Sequence, residues 1–146
     1  MASNISTSLI ISTYNRSDAL ELCVKSVLRQ SLLPDEIIIA DDGSKEDTRE
    51  LIHQLAASSE VPIIHVWHED LGFRLASIRN KAIAKASKEY IIQIDGDIVL
   101  HKDFVKDHAR FAQKGSFVTG SLLCRHAVVI SVLNIRNISM TLLPEN

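Results

Sequence analysis

Two carboxylates separated by one glycine, Asp95-Gly96-Asp97, directly follow an isoleucine-rich apolar run, Tyr90-Ile91-Ile92-Gln93-Ile94. Neighbouring acids repel each other, and they stay ionised only where water, hydrogen-bond donors or a cation offset that repulsion. A hard divalent cation such as Mg2+ or Mn2+ takes oxygen ligands of this kind, commonly one or two carboxylates together with phosphate oxygens of a substrate. At the end of a buried strand the two acids are therefore candidates for holding a metal–diphosphate. The same residues also carry the strongest short-range hairpin signal, because Asp95-Gly96 between apolar runs suits a type I′ turn. The remainder of the chain has to decide between the two.

The elements that would position these acids alternate along the chain. Ser8-Leu9-Ile10-Ile11-Ser12 reads as a first strand, continuous and β-branched as a strand buried on both faces should be. After the polar loop Thr13-Tyr14-Asn15-Arg16, Ser17 is placed to cap a helix through about Gln30, with Ala19, Leu20, Cys23, Val24, Val27 and Leu28 at helical spacing. Glu36 to Ala40 makes a second strand, ending in Asp41-Asp42-Gly43-Ser44, where Ser44 marks a helix start with Asp47 as a weak capping box. Pro62 to Trp67 reads as a third strand, with Trp67 assigned to the core, followed by His68-Glu69-Asp70. A helix over Ala76–Ser87, the central strand, a helix over Lys102–Gln113 stopped by Gly115, and a last strand over Ala127–Leu133 complete the pattern.

Strand–helix alternation of this kind predicts an α/β fold with a parallel sheet, right-handed crossovers and helices on both faces. In such sheets ligands bind beyond the carboxyl ends of the strands. Ser12-Thr13-Tyr14-Asn15, Asp41-Asp42-Gly43-Ser44 and Asp95-Gly96-Asp97 would all converge there, which a hairpin at Asp95-Gly96 does not explain. Neither a dinucleotide fingerprint nor a phosphate loop is present.

Composition bounds the rest. The chain has 146 residues, 46% hydrophobic and 23% charged, an ordinary globular mixture long enough for one sizeable core. A net charge of −2 without a Lys/Arg block argues against a nucleic-acid partner. No apolar run has the length of a membrane helix, and Met1-Ala2-Ser3-Asn4 lacks the basic stretch followed by an apolar core that a signal peptide is expected to show. Cys23 and Cys124, far apart and in apolar settings, read as buried free thiols, in keeping with a reducing cytoplasm. Peripheral association with the inner face of a membrane is compatible with this but not encoded. The histidines 53, 65, 108 and 126 have no metal-ligand spacing, and His101 reads as a surface loop residue.

The succession Ser-Thr-Tyr-Asn-Arg, Asp-Asp-Gly-Ser, Ile-Arg-Asn-Lys-Ala-Ile and Ile-Asp-Gly-Asp, from Leu9 to Phe117, resembles the nucleotide-sugar half of a family 2 glycosyltransferase of the GT-A fold. Gly72-Phe73-Arg74-Leu75-Ala76-Ser77-Ile78-Arg79-Asn80 is most similar to the branch that builds bacterial capsular and surface polysaccharides. The resemblance implies roles for matching residues. Asp42 would accept a hydrogen bond from the base, usually uracil. Ser12, Thr13 and Tyr14 would line the nucleotide pocket, and Asn15 and Arg16 would shape that loop and approach the phosphates. Asp95 would face the ribose or reach the metal through water, and Asp97 would bind Mn2+ or Mg2+ directly. Arg79 would meet phosphate or sugar hydroxyls, with Asn80, Phe73 and Arg74 as further candidates. Each role has a plain alternative: an Asx turn for Asp42, turn chemistry for the loop, a solvated charge for Arg79.

The implied reaction is metal-dependent, inverting transfer of a sugar from a nucleoside diphosphate, UDP foremost, to a hydroxyl of a glycan or other acceptor. It needs a carboxylate base, which in the family lies in the second half of the domain, often in a Trp-Gly-x-Glu-Asp type segment. This sequence has no such segment, and residues 121–146 hold one acid, Glu145. The expected organisation is thus a donor-binding half over residues 1–120 and a divergent apolar tail over 121–146, with the acceptor half missing and homodimerisation through the tail. A non-catalytic nucleotide-sugar-binding module, or an inactive truncated fragment, is the alternative function. A nucleotidyltransferase lacks support because Thr13-Tyr14-Asn15-Arg16 is not a glycine- and lysine-rich loop, and a phosphatase-type Asp-x-Asp should follow the first strand.

Overall fold

The computed structural model describes residues 5–121 and 129–134. Ten elements follow in order: β1 (Thr7–Thr13), α1 (Ser17–Val27), β2 (Glu36–Asp41), α2 (Glu46–Ser58), β3 (Ile63–Trp67), α3 (Leu75–Lys85), β4 (Tyr90–Asp95), α4 (Phe104–Phe111), β5 (Ser116–Ser121) and β6 (Val129–Asn134). The first four strands form one sheet in the order β3-β2-β1-β4, with every pair parallel. β5 and β6 pair separately and antiparallel. The parallel pairing of β4 with β1 disposes of the hairpin, and Gly96 is not among the glycines with positive φ that a type I′ turn requires.

Alternating side chains of the central strands build two cores. Leu9, Ile11, Ile37, Ile39, Ile92 and Ile94 pack on one face with Leu20, Val24, Val27, Ile52, Phe104 and Val105 of α1, α2 and α4. On the opposite face Ile10, Ile38, Ala40 and Val66 meet Ile78 and Ala82 of α3. Burial on both faces is why β1 and β2 read as unbroken apolar runs, each large side chain contributing about 1.5–3 kcal/mol. Right-handed crossovers dictate the division of helices. Moving from β1 out to β3 places α1 and α2 on one side, and the return from β3 to β4 places α3 on the other. The direction of winding reverses between β1 and β4, so a crevice opens at their carboxyl ends.

Several local expectations are corrected. Ser17 does not cap α1: Arg16 occupies the cap position without a side-chain bond, and the Ser17 hydroxyl reaches Asp47 Oδ2 at 3.3 Å. α1 ends at Val27 rather than near Gln30: the Leu28 amide still reaches the Val24 carbonyl, but Gln30 closes a tighter turn, its amide bonding the Val27 carbonyl. Its Nε2 donates to the carbonyls of Ser26 and His101, and its Oε1 accepts from the Val105 amide. α2 starts at Glu46 with Lys45 as cap, so Ser44 and Asp47 form no capping box. Trp67 is 41% exposed, at the end of the edge strand β3, with the Arg49 guanidinium 5.2 Å from its ring and its indole N–H donating to the Ser44 carbonyl. The last strand is described over Val129–Asn134, and the first two residues of the expected strand, Ala127 and Val128, lie outside the described residues. Cys124, His126 and most of the tail through which dimerisation was expected lie outside the described residues. No helix among the described residues is long and apolar enough to cross a membrane.

Cys23 is fully buried in α1, and burial pushes its thiol up to about 12. A thiol held this far from ionisation is a poor nucleophile. Iodoacetamide labelling of the native protein at pH 8, read by peptide mass mapping, should leave Cys23 unmodified, with modification appearing only in denaturant. Labelling of native Cys23 at a rate typical of a free thiol would contradict its place in this core.

Candidate functional site

A cavity of about 320 Å3 lies at the crevice between β1 and β4, lined by Ser12, Thr13, Tyr14, Arg16, Asp42, Phe73, Leu75, Asp95, Gly96 and Asp97. A larger one, about 620 Å3, runs beside the outer edge of β4 towards β5. Its lining is mostly strand and core side chains such as Ile92, Leu100, Phe104 and Phe117, whereas the acids and loops of interest gather around the smaller cavity.

The close approach of the Asp95-Gly96-Asp97 turn to β1 sets the shape of the smaller cavity. Register places Ser12 opposite Asp95, and the Gly96 amide donates to the Ser12 carbonyl at 2.8 Å. A Cβ on Gly96 would lie 2.8 Å from that carbonyl oxygen, so only glycine fits. Arg79 of α3 closes the other side. Its Nε donates to Ser12 Oγ at 2.9 Å and its terminal nitrogen pairs with Asp95 Oδ1. The guanidinium expected to meet phosphate or sugar is thus engaged with Ser12 and Asp95, and it holds Asp95 at the mouth of the cavity. Asn80 is exposed on the same helix and does not line it.

Asp97 is exposed, lines the cavity, and has no hydrogen bond or ion pair among the described residues. No group of three or more potential metal-ligating side chains occurs among the described residues. That donor set fits a hard cation that takes its remaining oxygens from a diphosphate and water, and does not fit a closed all-protein cage.

On the β2 side the two consecutive aspartates part company. Asp41 points into the protein, accepting from the Ser44 amide at 2.8 Å and paired with His65 Nε2 at 2.9 Å. Asp42 lines the cavity, with Oδ1 2.6 Å from His68 Nε2 and Oδ2 accepting from the Arg74 amide at 2.9 Å. Arg74 therefore acts through its backbone, while its guanidinium reaches back to the Glu69 carbonyl. Phe73 beside it is 87% exposed and forms part of the cavity wall.

The loop after β1 is fastened rather than free. Asn15 adopts φ 47°, a left-handed conformation that asparagine tolerates. Its amide donates to Ser44 Oγ and its Oδ1 accepts from the Lys45 amide, so it ties this loop to the one after β2 and is not among the cavity-lining residues. Arg16 lines the cavity edge and pairs with the exposed Asp18. The Tyr14 hydroxyl donates to Asp70 Oδ2 at 2.9 Å, and that bond raises its pKa. Asp70 in turn packs on Gly43, which adopts φ 98° and on which a Cβ would lie 2.7 Å from Asp70 Cα, so no side chain fits there. His101 is exposed and does not line the cavity.

In the sequence His68 is legible only as a member of a polar cluster and Asp70 only as an acid near the site edge that no family pattern supports as the base, while the roles of Gln30 and Lys81 carry no signal there. The available signal for His68 was its position just beyond the strand that neighbours Asp41-Asp42.

With this geometry in view the comparisons are informative. The family model for glycosyl transferase family 2 matches residues 8–129. The chain belongs to that family. Chondroitin synthase from Escherichia coli is 31% identical over 102 residues, covering 69% of this chain and 15% of the synthase. S. aureus TarS 1-349, solved in complex with UDP-GlcNAc, superimposes with a TM-score of 0.67 at 24% identity over 78% of this chain and 33% of that one. Mannosyltransferase PcManGT from Pyrobaculum calidifontis, solved with GDP-Man and Mn2+, gives a TM-score of 0.69 at 20% identity over 79% of this chain and 34% of that one. These likenesses establish the GT-A fold, of which this family 2 chain forms a part. It spans 15% of the synthase and about a third of the two solved chains.

Two outcomes test the geometry. Alanine at Gly96 forces the turn away from Ser12, which should cost about 1–3 kcal/mol. The Gly96→Ala protein should show a lowered thermal midpoint, and an unchanged midpoint would place the turn elsewhere. Asp41 gives a pH signature. Burial opposes its charge, but hydrogen bonds from His65 and Ser44 outweigh that and hold its carboxyl below the ordinary 3.8. A depressed folded-state value contributes stability that is present above the unfolded pKa and is lost as pH falls through the folded one. Thermal midpoints from pH 6 down to 2.5 should therefore fall less steeply below about pH 4 in Asp41→Asn than in the unsubstituted protein.

Proposed function

We propose that this chain binds a nucleoside-diphosphate sugar, with UDP as the nucleotide, and supplies the donor half of a metal-dependent inverting glycosyltransferase acting in polysaccharide or surface-glycan synthesis. The observation that carries the reading is the gathering of Ser12, Thr13, Tyr14, Asp42, Asp95 and Asp97 around one cavity at the β1–β4 crevice. Family membership and relatives whose names include a chondroitin synthase support the substrate class.

In this reading Asp42 accepts a ring N–H of the base, and Ser12, Thr13 and Tyr14 line the nucleoside pocket. Asn15 fixes the loop that carries Tyr14, and Arg16 stands at the edge where phosphates would lie. Asp95, oriented by Arg79, faces the ribose, while Asp97 offers its carboxylate to Mn2+ or Mg2+. A bound cation supplies Lewis-acid neutralisation of the charge that grows on the leaving diphosphate. In the transfer the acceptor oxygen bonds to the anomeric carbon, the bond from that carbon to the diphosphate breaks, and the acceptor proton passes to a carboxylate base.

The acids lining the cavity are Asp42, Asp95 and Asp97, each already assigned to the donor. The base therefore belongs to the acceptor side, beyond a donor half placed at residues 1–120. This arrangement also keeps the second reading in play, a module that binds the donor without transferring it. The proposed compartment is the cytoplasm, where peripheral association with the inner face of the membrane is compatible with the sequence but not encoded in it.

Calorimetric titration of UDP, with and without Mn2+, into the unsubstituted protein and Asp97→Ala tests the donor site. Binding should require the cation and weaken about tenfold or more in Asp97→Ala. Absence of UDP binding in a folded, Mn2+-supplied protein would sink the reading.

A further inference from the structure

We propose that His68 is a positioning residue for the donor base, and that Lys81 sets its tautomer. This rests on the reading that Asp42 meets the base. His68 follows β3 directly and is buried, with Nε2 2.6 Å from Asp42 Oδ1 and Nδ1 3.3 Å from Lys81 Nζ. A lysine ammonium has hydrogens to give and no lone pair. Its contact makes Nδ1 the acceptor, so the ring hydrogen resides on Nε2 and is donated to Asp42. The Arg74 amide holds the other carboxylate oxygen at 2.9 Å.

Asp42 is thereby gripped through both oxygens, from β3 by a side chain and from the start of α3 by the backbone. Each carboxylate oxygen has room for more than one hydrogen bond, so acceptor capacity remains towards the cavity that Asp42 lines. A carboxylate fixed in this way can only accept. It suits an edge that presents a ring N–H, as uracil does at N3, and opposes cytosine, whose N3 carries a lone pair. Leaving such paired groups unmatched is how a polar site rejects a near-isostere. Base selectivity is thus a property of the Lys81–His68–Asp42 relay as a whole, and Lys81, exposed on α3, influences it without touching the ligand.

The test is calorimetric titration of UDP, CDP and inorganic diphosphate, all with Mn2+, into the unsubstituted protein, His68→Gln, His68→Leu, Lys81→Met and Asp42→Asn. His68→Leu should weaken UDP about tenfold and narrow the UDP/CDP affinity ratio while leaving diphosphate unchanged. His68→Gln, which keeps an N–H donor, should recover most of the loss. Lys81→Met, at the surface, should narrow the ratio with no change in thermal midpoint, and it decides the matter alone if His68→Leu fails to fold. An unchanged UDP/CDP ratio in both His68→Leu and Lys81→Met overturns the relay, and it leaves the donor site standing if Asp42→Asn still loses UDP. Equal loss of UDP, CDP and diphosphate in His68→Leu marks a merely structural histidine and also overturns it. An unsubstituted protein that binds no nucleotide removes both readings together.

Discussion

One backbone hydrogen bond, from the Gly96 amide to the Ser12 carbonyl, brings the two halves of the crevice together. Everything around it depends on how closely that turn lies against β1. The contact leaves no space for a Cβ at position 96, so the spacing of Asp95 and Asp97 is carried by the one residue without one. The turn is braced from behind by α1 and the turn after it: Cys23 Sγ lies against the Asp95 carbonyl, Ser26 Oγ accepts from the Leu100 amide, and Gln30, just beyond the helix, bonds on both sides of the following loop. One helix and the turn that follows it thus hold the chain immediately after the site. A site built on strand ends and backed by a packed helix is held more firmly than one carried on loops alone.

The parallel sheet explains why the site lies where it does. Three of the segments that line or frame the cavity leave β1, β2 and β4 at their carboxyl ends, and the α3 residues that complete it cross from the opposite face. Reversal of winding between β1 and β4 leaves a gap that no crossover covers.

Much of this was legible in the sequence. Unbroken apolar runs at Leu9–Ile11 and Ile37–Ala40 require burial on both faces, hence a parallel sheet with helices on each side. Given that sheet, the acids after three strands had to share an edge. What the sequence did not disclose were bonds between residues far apart along it. Asn15 was expected to shape its loop and approach the phosphates, and the bonds by which it shapes the loop, from its amide to Ser44 and from the Lys45 amide to its side chain, are pairings that no local pattern encodes. Ser17 and Ser44 had the right residue type for caps, and both found tertiary partners instead. Trp67 was assigned to the core by hydrophobicity, and it lies outside because β3 is an edge strand with one neighbour.

Two pairs of aspartates illustrate how position divides labour between identical side chains. Asp41 and Asp42 are consecutive, and strand alternation sends one into the protein and the other to the crevice. Asp41 is satisfied by Ser44 and His65, so it stabilises the loop and has no access to a ligand. Asp95 and Asp97 are separated by one glycine, and Arg79 takes the first, leaving the second unpaired among the described residues. Two bare carboxylates this close would repel, and pairing one with a guanidinium reduces that repulsion while keeping an anionic ligand at the mouth of the cavity. The same guanidinium also grips Ser12, so the charge that steadies Asp95 is anchored to β1 and cannot drift towards Asp97. The site therefore presents one aspartate fixed in orientation and one without a hydrogen-bond or ion-pair partner among the described residues, an asymmetry set by the chain itself.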